Sequence, residues 1–325
     1  MFRTEIIPKA SRDKINISSP VLSIGSCFSD CMGQRFANYK FDSLANPYGT
    51  VYNPVSIFKL LGYTLSKNYP DQSTYVETQG LQANYDFHSS FSHEEPMEIE
   101  NSIHEAIDLA HKHLKKSNWL IMTFGTSFIY RRKSNQEIVA NCHKIPARHF
   151  SKELLTQKQI IERFEAFNQQ LMSNYPDIRI ILTVSPVRHI KDTMEQNSVS
   201  KSILRITCDT LEREYDNIQY FPSYEIMMDD LRDYRFYKTD MIHPTLDAED
   251  YIWKKFSEAY LDADTVSFIE EWDKILKAIH HRPFNPASDA HQNFLQETIT
   301  RVKRLEGKID IKQEVALLEQ QLIKK

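Results

Sequence analysis

Two adjacent side chains near the start of the chain are potential nucleophiles. Ser26 and Cys27 follow Gly25 and the apolar run of residues 21–24, and a Ser-Asp pair comes next. This order predicts a strand, a tight turn and a helix N-terminus, whose amides and dipole favour negative charge. We therefore expect a stabilised Cys27 thiolate, whereas Ser26 would need a base to remove its proton. The competing interpretation of Cys27 is a small buried apolar side chain.

Asp240 and His243 form a candidate acid and base pair. A histidine base must be held in one tautomer by an acceptor on its other nitrogen, and an aspartate three residues earlier can supply that acceptor. Pro244 and the aromatic segment of residues 234–237 predict a fixed loop that leads into a helix. The alternative is a capping aspartate beside an incidental histidine.

Composition excludes several classes of protein. The 325 residues carry a net charge of −4 and no block of five basic residues, which argues against a nucleic-acid partner. No apolar run approaches 18 residues, and the N-terminus does not resemble a signal peptide. Four scattered cysteines favour a reduced, cytoplasmic protein. Neither a Gly-rich nucleotide loop nor a metal-binding His pair occurs, so we predict no cofactor and no metal, although Cys27, His143, His189, Asp240 and His243 are possible ligands.

Strand-like and helix-like segments alternate from Val21 to Tyr260. This alternation predicts an α/β fold with a mainly parallel sheet covered by helices on both faces. The predicted strands are 21–24, 119–124, 178–184 and 218–221, and the predicted helices are 29–38, 55–65, 103–116, 157–174, 200–215 and 248–260. Residues 68–100 interrupt the alternation and are predicted to be an irregular excursion.

The composition changes again beyond Pro283. Apolar residues recur there at helical spacing, which predicts a helical C-terminal extension that packs on the body or on a partner subunit. We therefore predict a main domain of residues 1–283, a tail of residues 284–325, and a homo-oligomer formed through the tail as a possible arrangement.

Two polar segments are further candidates for substrate contact. Asn141-Cys142-His143-Lys144 and Ser185-Pro186-Val187-Arg188-His189 each follow a strand-like segment. Arg188 could clamp a carboxylate or phosphate, and Lys144 could pair with the same anion. The alternative is a structural hydrogen-bond network of His143, Arg188 and His189.

The chain resembles the GSCFA family, whose motif corresponds to Gly25-Ser26-Cys27-Phe28-Ser29 here, with Ser in place of the usual Ala. The resemblance covers about residues 20–255 and leaves the tail outside. The other matching segments are residues 46–54, 124–127, 141–144 and 185–189, and the Asp240-x-x-His243-Pro244 motif.

That family looks like a branch of the SGNH, or GDSL-like, hydrolases, which implies a flavodoxin-like three-layer α/β/α fold. The resemblance places the nucleophile turn at Gly25-Ser26-Cys27, oxyanion donors at Gly49 and Ser127, and the acid and base at Asp240 and His243. Two departures follow, because Cys27 stands where the superfamily has Ser, and Ser127 replaces an oxyanion Asn. Asn141 or Asn53 could take over the oxyanion role, and Asn53, His143, Lys144, Arg188 and His189 are expected to contact substrate.

The resulting hypothesis is a hydrolase or acyltransferase that acts on an ester- or thioester-linked acyl group of a small molecule or carbohydrate. Cys27, or alternatively Ser26, attacks the carbonyl, His243 transfers the proton, and Asp240 orients His243. Two other classes stay open: a catalytically silent protein that binds a glycan or acyl ligand, and a scaffold that dimerises through its C-terminal helices.

Overall fold

A five-stranded parallel sheet forms the centre of the molecule. A computed structural model describes residues 3–323. The sheet contains β1 (Val21–Gly25), β2 (Ser43–Ala45), β5 (Trp119–Phe124), β9 (Arg179–Val184) and β10 (Ile218–Tyr220), in the order β10-β9-β5-β1-β2. Counted along this sheet alone, the order is the 2-1-3-4-5 of flavodoxin-like folds. The predicted α/β class with a mainly parallel sheet is confirmed.

The central strands are apolar because both of their faces are covered. Every residue of β1 and β5 is buried, as expected for a parallel sheet between two helical layers. The register pairs Gly25 with Thr123, and Phe124 with Val184. The carboxyl ends of β1, β5 and β9 therefore lie side by side at one edge of the sheet.

Helices cover both faces of this sheet and make three layers. One apolar cluster joins the sheet to residues of α2, α3, α4 and α5, and another joins it to α1 and α7. The helices are α1 (Cys27–Asn38), α2 (Pro54–Ser66), α3 (Pro96–Leu114), α4 (Gln157–Asn174), α5 (Met194–Glu214), α6 (Ser223–Glu225), α7 (Leu246–Tyr260), α8 (Ala263–Ile279), α9 (Asp289–Lys303) and α10 (Lys312–Glu319).

Short antiparallel strands flank the central sheet. A hairpin joins β3 (Tyr75–Thr78) to β4 (Leu81–Asn84), and β6 (Phe128–Arg132) pairs with both β7 (Ile138–Val139) and β8 (Phe150–Leu154). The prediction of an irregular excursion over residues 68–100 was therefore wrong in part, because this stretch contains the hairpin and the start of α3.

The C-terminal helices pack on the body of the same chain. Trp272 and Ile275 of α8 share an apolar cluster with Leu295 and Val302 of α9 and Leu318 of α10. The cluster is tied to the end of α1, because the indole N–H of Trp272 donates to the Asn38 carbonyl at 2.9 Å. This apolar cluster includes residues on both sides of position 283. The domain boundary predicted at that position stays a prediction.

Candidate active site

The turn after β1 is held by close backbone contacts. A Cβ on Gly25, which has a φ of +150°, would lie only 2.2 Å from the Thr123 carbonyl oxygen of β5. Its N–H donates to the side-chain oxygen of Asn46 at 2.8 Å, and the Ser26 N–H donates to Thr123 at 3.1 Å. Glycine is therefore required here for the close approach of the two strands.

Ser26 is the N-cap of α1. Its hydroxyl oxygen accepts the Phe28 N–H at 3.4 Å, and the residue is completely buried. A short polar side chain is preferred at this position because it satisfies a backbone donor that has no helical acceptor. The structure thus gives Ser26 a structural task and no exposure to a substrate.

Cys27 is the first residue of α1 and is half-buried. Burial raises the pKa of its thiol and the neighbouring Asp30 carboxylate raises it further, while the amides of Cys27 and Phe28 and the ammonium group of Lys201 lower it by less. The expectation of a stabilised thiolate was wrong for this structure, because desolvation and Asp30 outweigh the helix N-terminus.

Asp240 and His243 form a hydrogen-bonded pair in the loop before α7. Nδ1 of His243 lies 2.7 Å from Oδ2 of Asp240, and Oδ1 of Asp240 accepts the backbone N–H groups of Ile242 and His243 at 2.8 and 3.0 Å. These hydrogen bonds, from the backbone and side chain of His243 and from the backbone of Ile242, lower the pKa of Asp240 to about 2. The carboxylate is thus ionised at neutral pH and fixes the orientation of the imidazole ring.

Cys27 and His243 line one open pocket of about 590 Å³. The pocket follows α1 from Cys27 past Cys31 to Tyr39, and the start of α7 forms its opposite wall. Within residues 3–323, no hydrogen bond joins the Cys27 thiol to His243. The arrangement therefore presents both groups to the same bound molecule without a preformed contact between them.

Asn46 connects the loop after β2 to the turn. Its side-chain oxygen accepts the Gly25 N–H. Its side-chain NH₂ group donates to the Ser26 carbonyl at 3.5 Å and to the Asp30 carboxylate at 2.6 Å. Its φ of +43° lies in the left-handed region, where asparagine is among the favoured non-glycine residues. Sequence reasoning placed Asn46 inside a matching segment but did not assign it a role.

Two of the predicted oxyanion donors, Gly49 and Ser127, are occupied by other contacts. The Gly49 N–H donates to the Asn46 carbonyl at 2.8 Å, and the buried Ser127 hydroxyl donates to the carbonyl of Ser200 at 3.2 Å. Asn141 accepts the His143 N–H through its side chain at 2.9 Å and does not line the pocket. These contacts do not support the expected roles of Gly49 and Ser127, because their donors are already used within the fold.

One donor of the turn is unoccupied. In the part of the chain that the structure describes, the Cys27 N–H makes no hydrogen bond to another residue, as the first N–H groups of a helix lack helical acceptors. This N–H belongs to the residue whose thiol faces the pocket. It is therefore a candidate donor for a negatively charged oxygen beside the Cys27 sulfur.

Two predicted substrate contacts have structural tasks instead. Asn53 is buried and caps α2, with its side-chain oxygen 2.8 Å from the Ser56 N–H. His143 is buried, its Nε2 lies 2.7 Å from the Asn84 carbonyl oxygen, and burial lowers its pKa. Lys144 follows with a φ of +59° and does not line the pocket.

Arg188 and His189 lie next to the site without lining its pocket. The Arg188 guanidinium stacks 3.9 Å from the centre of the Tyr237 ring, and its backbone N–H donates to the Ile242 carbonyl at 3.3 Å. Nε2 of His189 is buried without a hydrogen-bond partner among residues 3–323, and burial lowers the pKa of this ring to about 4. Arg188 thus supports the loop of His243, and His189 is a neutral ring behind the site.

Lys201 is a residue near the site that sequence reasoning missed. It lies on α5, is 1% exposed, and donates from Nζ to the Ser185 carbonyl at 2.7 Å. A lysine in an amphipathic helix gives no sequence signal that it is buried, because lysines on helices usually face solvent. Its burial follows from packing of α5 against β9 and β10, which brings the ammonium group to the carbonyl of Ser185 just after β9.

No group of three or more His, Cys, Asp or Glu residues within residues 3–323 is arranged to hold a metal ion. In the same residues, no helix combines the length and apolar character needed to cross a membrane.

Comparison with known proteins identifies the family profiles that match the chain. The profile described as "GSCFA family" matches residues 20–256, and that described as "GSCFA domain protein, C-terminal domain" matches residues 272–324. The expectation that the tail lies outside the resemblance was therefore wrong. No functionally curated protein matches the chain.

A solved structure from Streptococcus pneumonia, provisionally described as a platelet activating factor, is similar over 74% of this chain and 84% of its own. Its sequence identity is 12% and the TM-score is 0.39. At this TM-score the likeness establishes neither a shared fold nor a shared activity.

Proposed function

This chain belongs to the GSCFA family, and we propose that it is a thiol-dependent hydrolase or acyltransferase of the SGNH type, acting on an ester- or thioester-linked acyl group. One observation carries the proposal: Cys27 and an aspartate-oriented His243 line the same pocket. The flavodoxin-like strand order supports it, because ligands of such sheets bind where the strand order reverses, between β1 and β5 here.

In the proposed reaction the Cys27 sulfur attacks the acyl carbonyl carbon and His243 takes the thiol proton. His243 then returns this proton to the leaving oxygen or sulfur, and a thioester to Cys27 is left. Water or an acceptor hydroxyl then attacks the thioester carbonyl carbon and loses its proton to His243. The bond from the carbonyl carbon to the Cys27 sulfur breaks, His243 returns the proton to that sulfur, and the free acid or the new ester leaves. Because burial raises the pKa of the Cys27 thiol, the reaction needs such a base at neutral pH.

The oxyanion of the tetrahedral intermediate would be held at the N-terminus of α1. The free Cys27 N–H and the helix dipole both favour negative charge at that point. Gly49 and Ser127 have no place in this proposal because their donors are occupied.

Geometry favours Cys27 over Ser26 as the attacking group. Ser26 is completely buried, and its hydroxyl oxygen caps the helix, whereas Cys27 lines the pocket. Three of the α1 residues that line the pocket, Gln34, Arg35 and Asn38, are polar. They are compatible with a carbohydrate that carries the acyl group, which is the substrate class we propose.

The test is acyl-enzyme formation followed by hydrolysis of aryl acetates and acetylated sugars. We expect wild type to become acetylated at Cys27, and we expect Cys27→Ala and His243→Ala to lose at least about 10²-fold in kcat/KM. Asp240→Asn should lose about as much while KM changes little, because it removes the group that fixes the His243 tautomer.

Cys142→Ala is the matched control, because Cys142 is also half-buried but does not line the pocket. It should keep wild-type activity. Equal activity of wild type and Cys27→Ala on every acyl substrate would reject the proposed mechanism.

A binding protein that uses the same pocket without chemistry is the second candidate. The absence of a direct hydrogen bond between Cys27 and His243 and the raised pKa of the thiol favour it. It predicts that acetylated sugars bind wild type and Cys27→Ala equally, as measured by calorimetry, and that neither protein turns them over.

A further inference from the structure

Asp30 is a carboxylate that lines the same pocket as Cys27. It belongs to the first turn of α1, is exposed, and forms no ion pair within residues 3–323. Residues three positions apart on a helix lie on the same side, with about 5–6 Å between their Cβ atoms. The Asp30 carboxylate therefore lies beside the Cys27 thiol, at the end of the pocket where the proposed reaction takes place.

Asn46 fixes the orientation of this carboxylate. Its side-chain NH₂ group donates to Oδ1 of Asp30 at 2.6 Å, while its side-chain oxygen accepts the Gly25 N–H of the nucleophile turn at 2.8 Å. Burial raises the pKa of Asp30, and this hydrogen bond and the interaction with His88 lower it. Oδ2 of Asp30 has no hydrogen-bond partner among residues 3–323. Because an ionised carboxylate only accepts hydrogen bonds, one oriented acceptor is free for a bound molecule.

Farther along the pocket, the charged side chains compensate one another. Arg35 pairs with Asp250 at 2.5 Å and with Glu249 at 3.4 Å, and Lys238 pairs with Glu249 at 3.5 Å. Two cations thus face two carboxylates in this part of the lining. Asp30 adds a negative charge next to the nucleophile that these pairs do not offset.

We propose that Asp30 selects the substrate: its free oxygen accepts a hydrogen bond from a hydroxyl group next to the acyl ester, and its charge disfavours anionic substrates. The inference rests on the proposed function and deepens it, because it names the part of the substrate beside the reacting carbonyl. The substrate class is thus a partly acylated, uncharged sugar in which a free hydroxyl neighbours the esterified one.

The geometry of the attack brings that hydroxyl to Asp30. An acyl carbon in position for attack lies about 3–3.5 Å from the Cys27 sulfur, and Asp30 is one helical turn away from that residue. The groups bonded next to the ester oxygen are then the part of the substrate nearest the carboxylate. A hydroxyl there donates to Oδ2, whereas an anionic group meets a like charge at short range and is repelled.

The first test measures the charge preference of Cys27 without any substrate. Full-length protein is treated at about pH 8, well above the usual pKa of an aspartate, with cationic, neutral and anionic methanethiosulfonates of similar size. Tandem mass spectrometry separates Cys27 from Cys31. The ratio of cationic to anionic rate, divided by that of protein unfolded in urea, should fall about three- to tenfold in Asp30→Asn. The ratio cancels the change in thiolate fraction, which affects every reagent equally.

Asp250→Asn is the matched control. It removes one negative charge from the same pocket, but Asp250 pairs with Arg35, which lies two turns beyond Cys27 and about 12 Å along the helix axis. Screening should limit its effect on the ratio to less than about twofold. Asp30→Asn keeps an acceptor for Asn46 and Asp30→Ala does not, so agreement between the two folded variants assigns the effect to charge. An unchanged ratio in both would overturn the inference.

The second test compares hydrolysis of a monoacetylated sugar that has a free neighbouring hydroxyl with hydrolysis of its deoxy analogue. Wild type should prefer the sugar with the hydroxyl by about tenfold in kcat/KM, and Asp30→Ala should lose this preference. A preference that is absent from wild type, or that persists in Asp30→Ala, would overturn the hydrogen bond to Asp30.

The outcomes distinguish this inference from the proposed function. A reduced charge ratio in both Asp30 variants, with no hydrolysis by any protein, supports charge selection by Asp30 and rejects the enzyme. Hydrolysis that depends on Cys27, with the charge ratio and the hydroxyl preference unchanged in the Asp30 variants, supports the enzyme and rejects the role of Asp30.

Discussion

At the scale of single residues, the environment of Cys27 shows how burial competes with a helix N-terminus. A helix dipole contributes about 0.3–1 kcal/mol to an exposed charge at its end, whereas burial can shift a pKa by several units. The raised pKa of the Cys27 thiol has burial as its largest cause and Asp30 as the next. A reactive thiolate at this turn therefore needs a proton acceptor, and His243 faces the same pocket.

Gly49 gives a test of the turn that supports the site. Its φ is +73°, and a Cβ there would lie 2.4 Å from the Cβ of His88. We expect Gly49→Ala to lower the free energy of unfolding by about 1–3 kcal/mol, because a strained φ and a clash add together. Urea unfolding followed by circular dichroism measures the change.

Gly62→Ala is its control. Gly62 lies inside α2, and a Cβ there would meet nothing within 4 Å. This variant should gain about 0.5–1 kcal/mol, because alanine is the better helix former. Equal stability of Gly49→Ala and wild type would show that the loop tolerates the side chain.

The site residues that could be predicted are those whose roles depend on local spacing. Asp240 and His243 are three residues apart, and the structure joins them by a hydrogen bond. Lys201 and Asn46 act through tertiary contacts with segments distant in the chain. Contacts between distant segments cannot be recognised from a single sequence, so neither residue could be given a role in advance.

At the scale of elements, the N-terminus of α1 both positions Cys27 and depends on Ser26. The cap accepts the Phe28 N–H, and Asn46 holds the preceding backbone. Both contacts fix the direction in which the first residue of the helix points. The same geometry leaves Ser26 buried, which separates its structural task from the chemistry of Cys27.

Substituting the cap tests this separation. We expect Ser26→Ala to lose about 1 kcal/mol of unfolding free energy, because a helix donor loses its acceptor, and to keep acetylation at Cys27. Thr156→Ala, which removes the cap of α4 away from the pocket, should lose a similar amount. Stopped-flow assays and urea unfolding supply both readouts. If Ser26→Ala abolishes hydrolysis while Cys27→Ala retains it, Ser26 is the nucleophile instead.

Element prediction succeeded where a continuous apolar run marked a buried strand. The expected strand at residues 119–124 matches β5, and the expected helix at 157–174 matches α4. The strands β6 to β8 were missed because they span at most five residues and none contains a continuous apolar run long enough to mark a buried strand. Helix α5 begins six residues before the predicted start at Ser200 because Thr193 caps it.

At the scale of the whole molecule, the C-terminal helices complete the structure around α8. Their apolar residues fill a cluster within one chain, and Lys40 after α1 pairs with Glu314 of α10 at 2.7 Å. The pocket reaches this region at Tyr39 and Leu276. The tail therefore supports the far end of the groove that begins at Cys27, while any homo-oligomer would have to use its exposed face.

Leu295 tests whether the tail's buried face serves the fold of one chain. It is fully buried in α9, so Leu295→Ala should lower the free energy of unfolding by about 2–5 kcal/mol through lost contacts and a cavity. Because the cluster lies within one chain, the loss should be independent of protein concentration, measured by urea unfolding at two concentrations and light scattering. Leu317→Ala on α10, where the side chain is 39% exposed, should change stability by less than about 1 kcal/mol. A concentration-dependent loss for Leu295→Ala would instead indicate that the tail's apolar face holds subunits together.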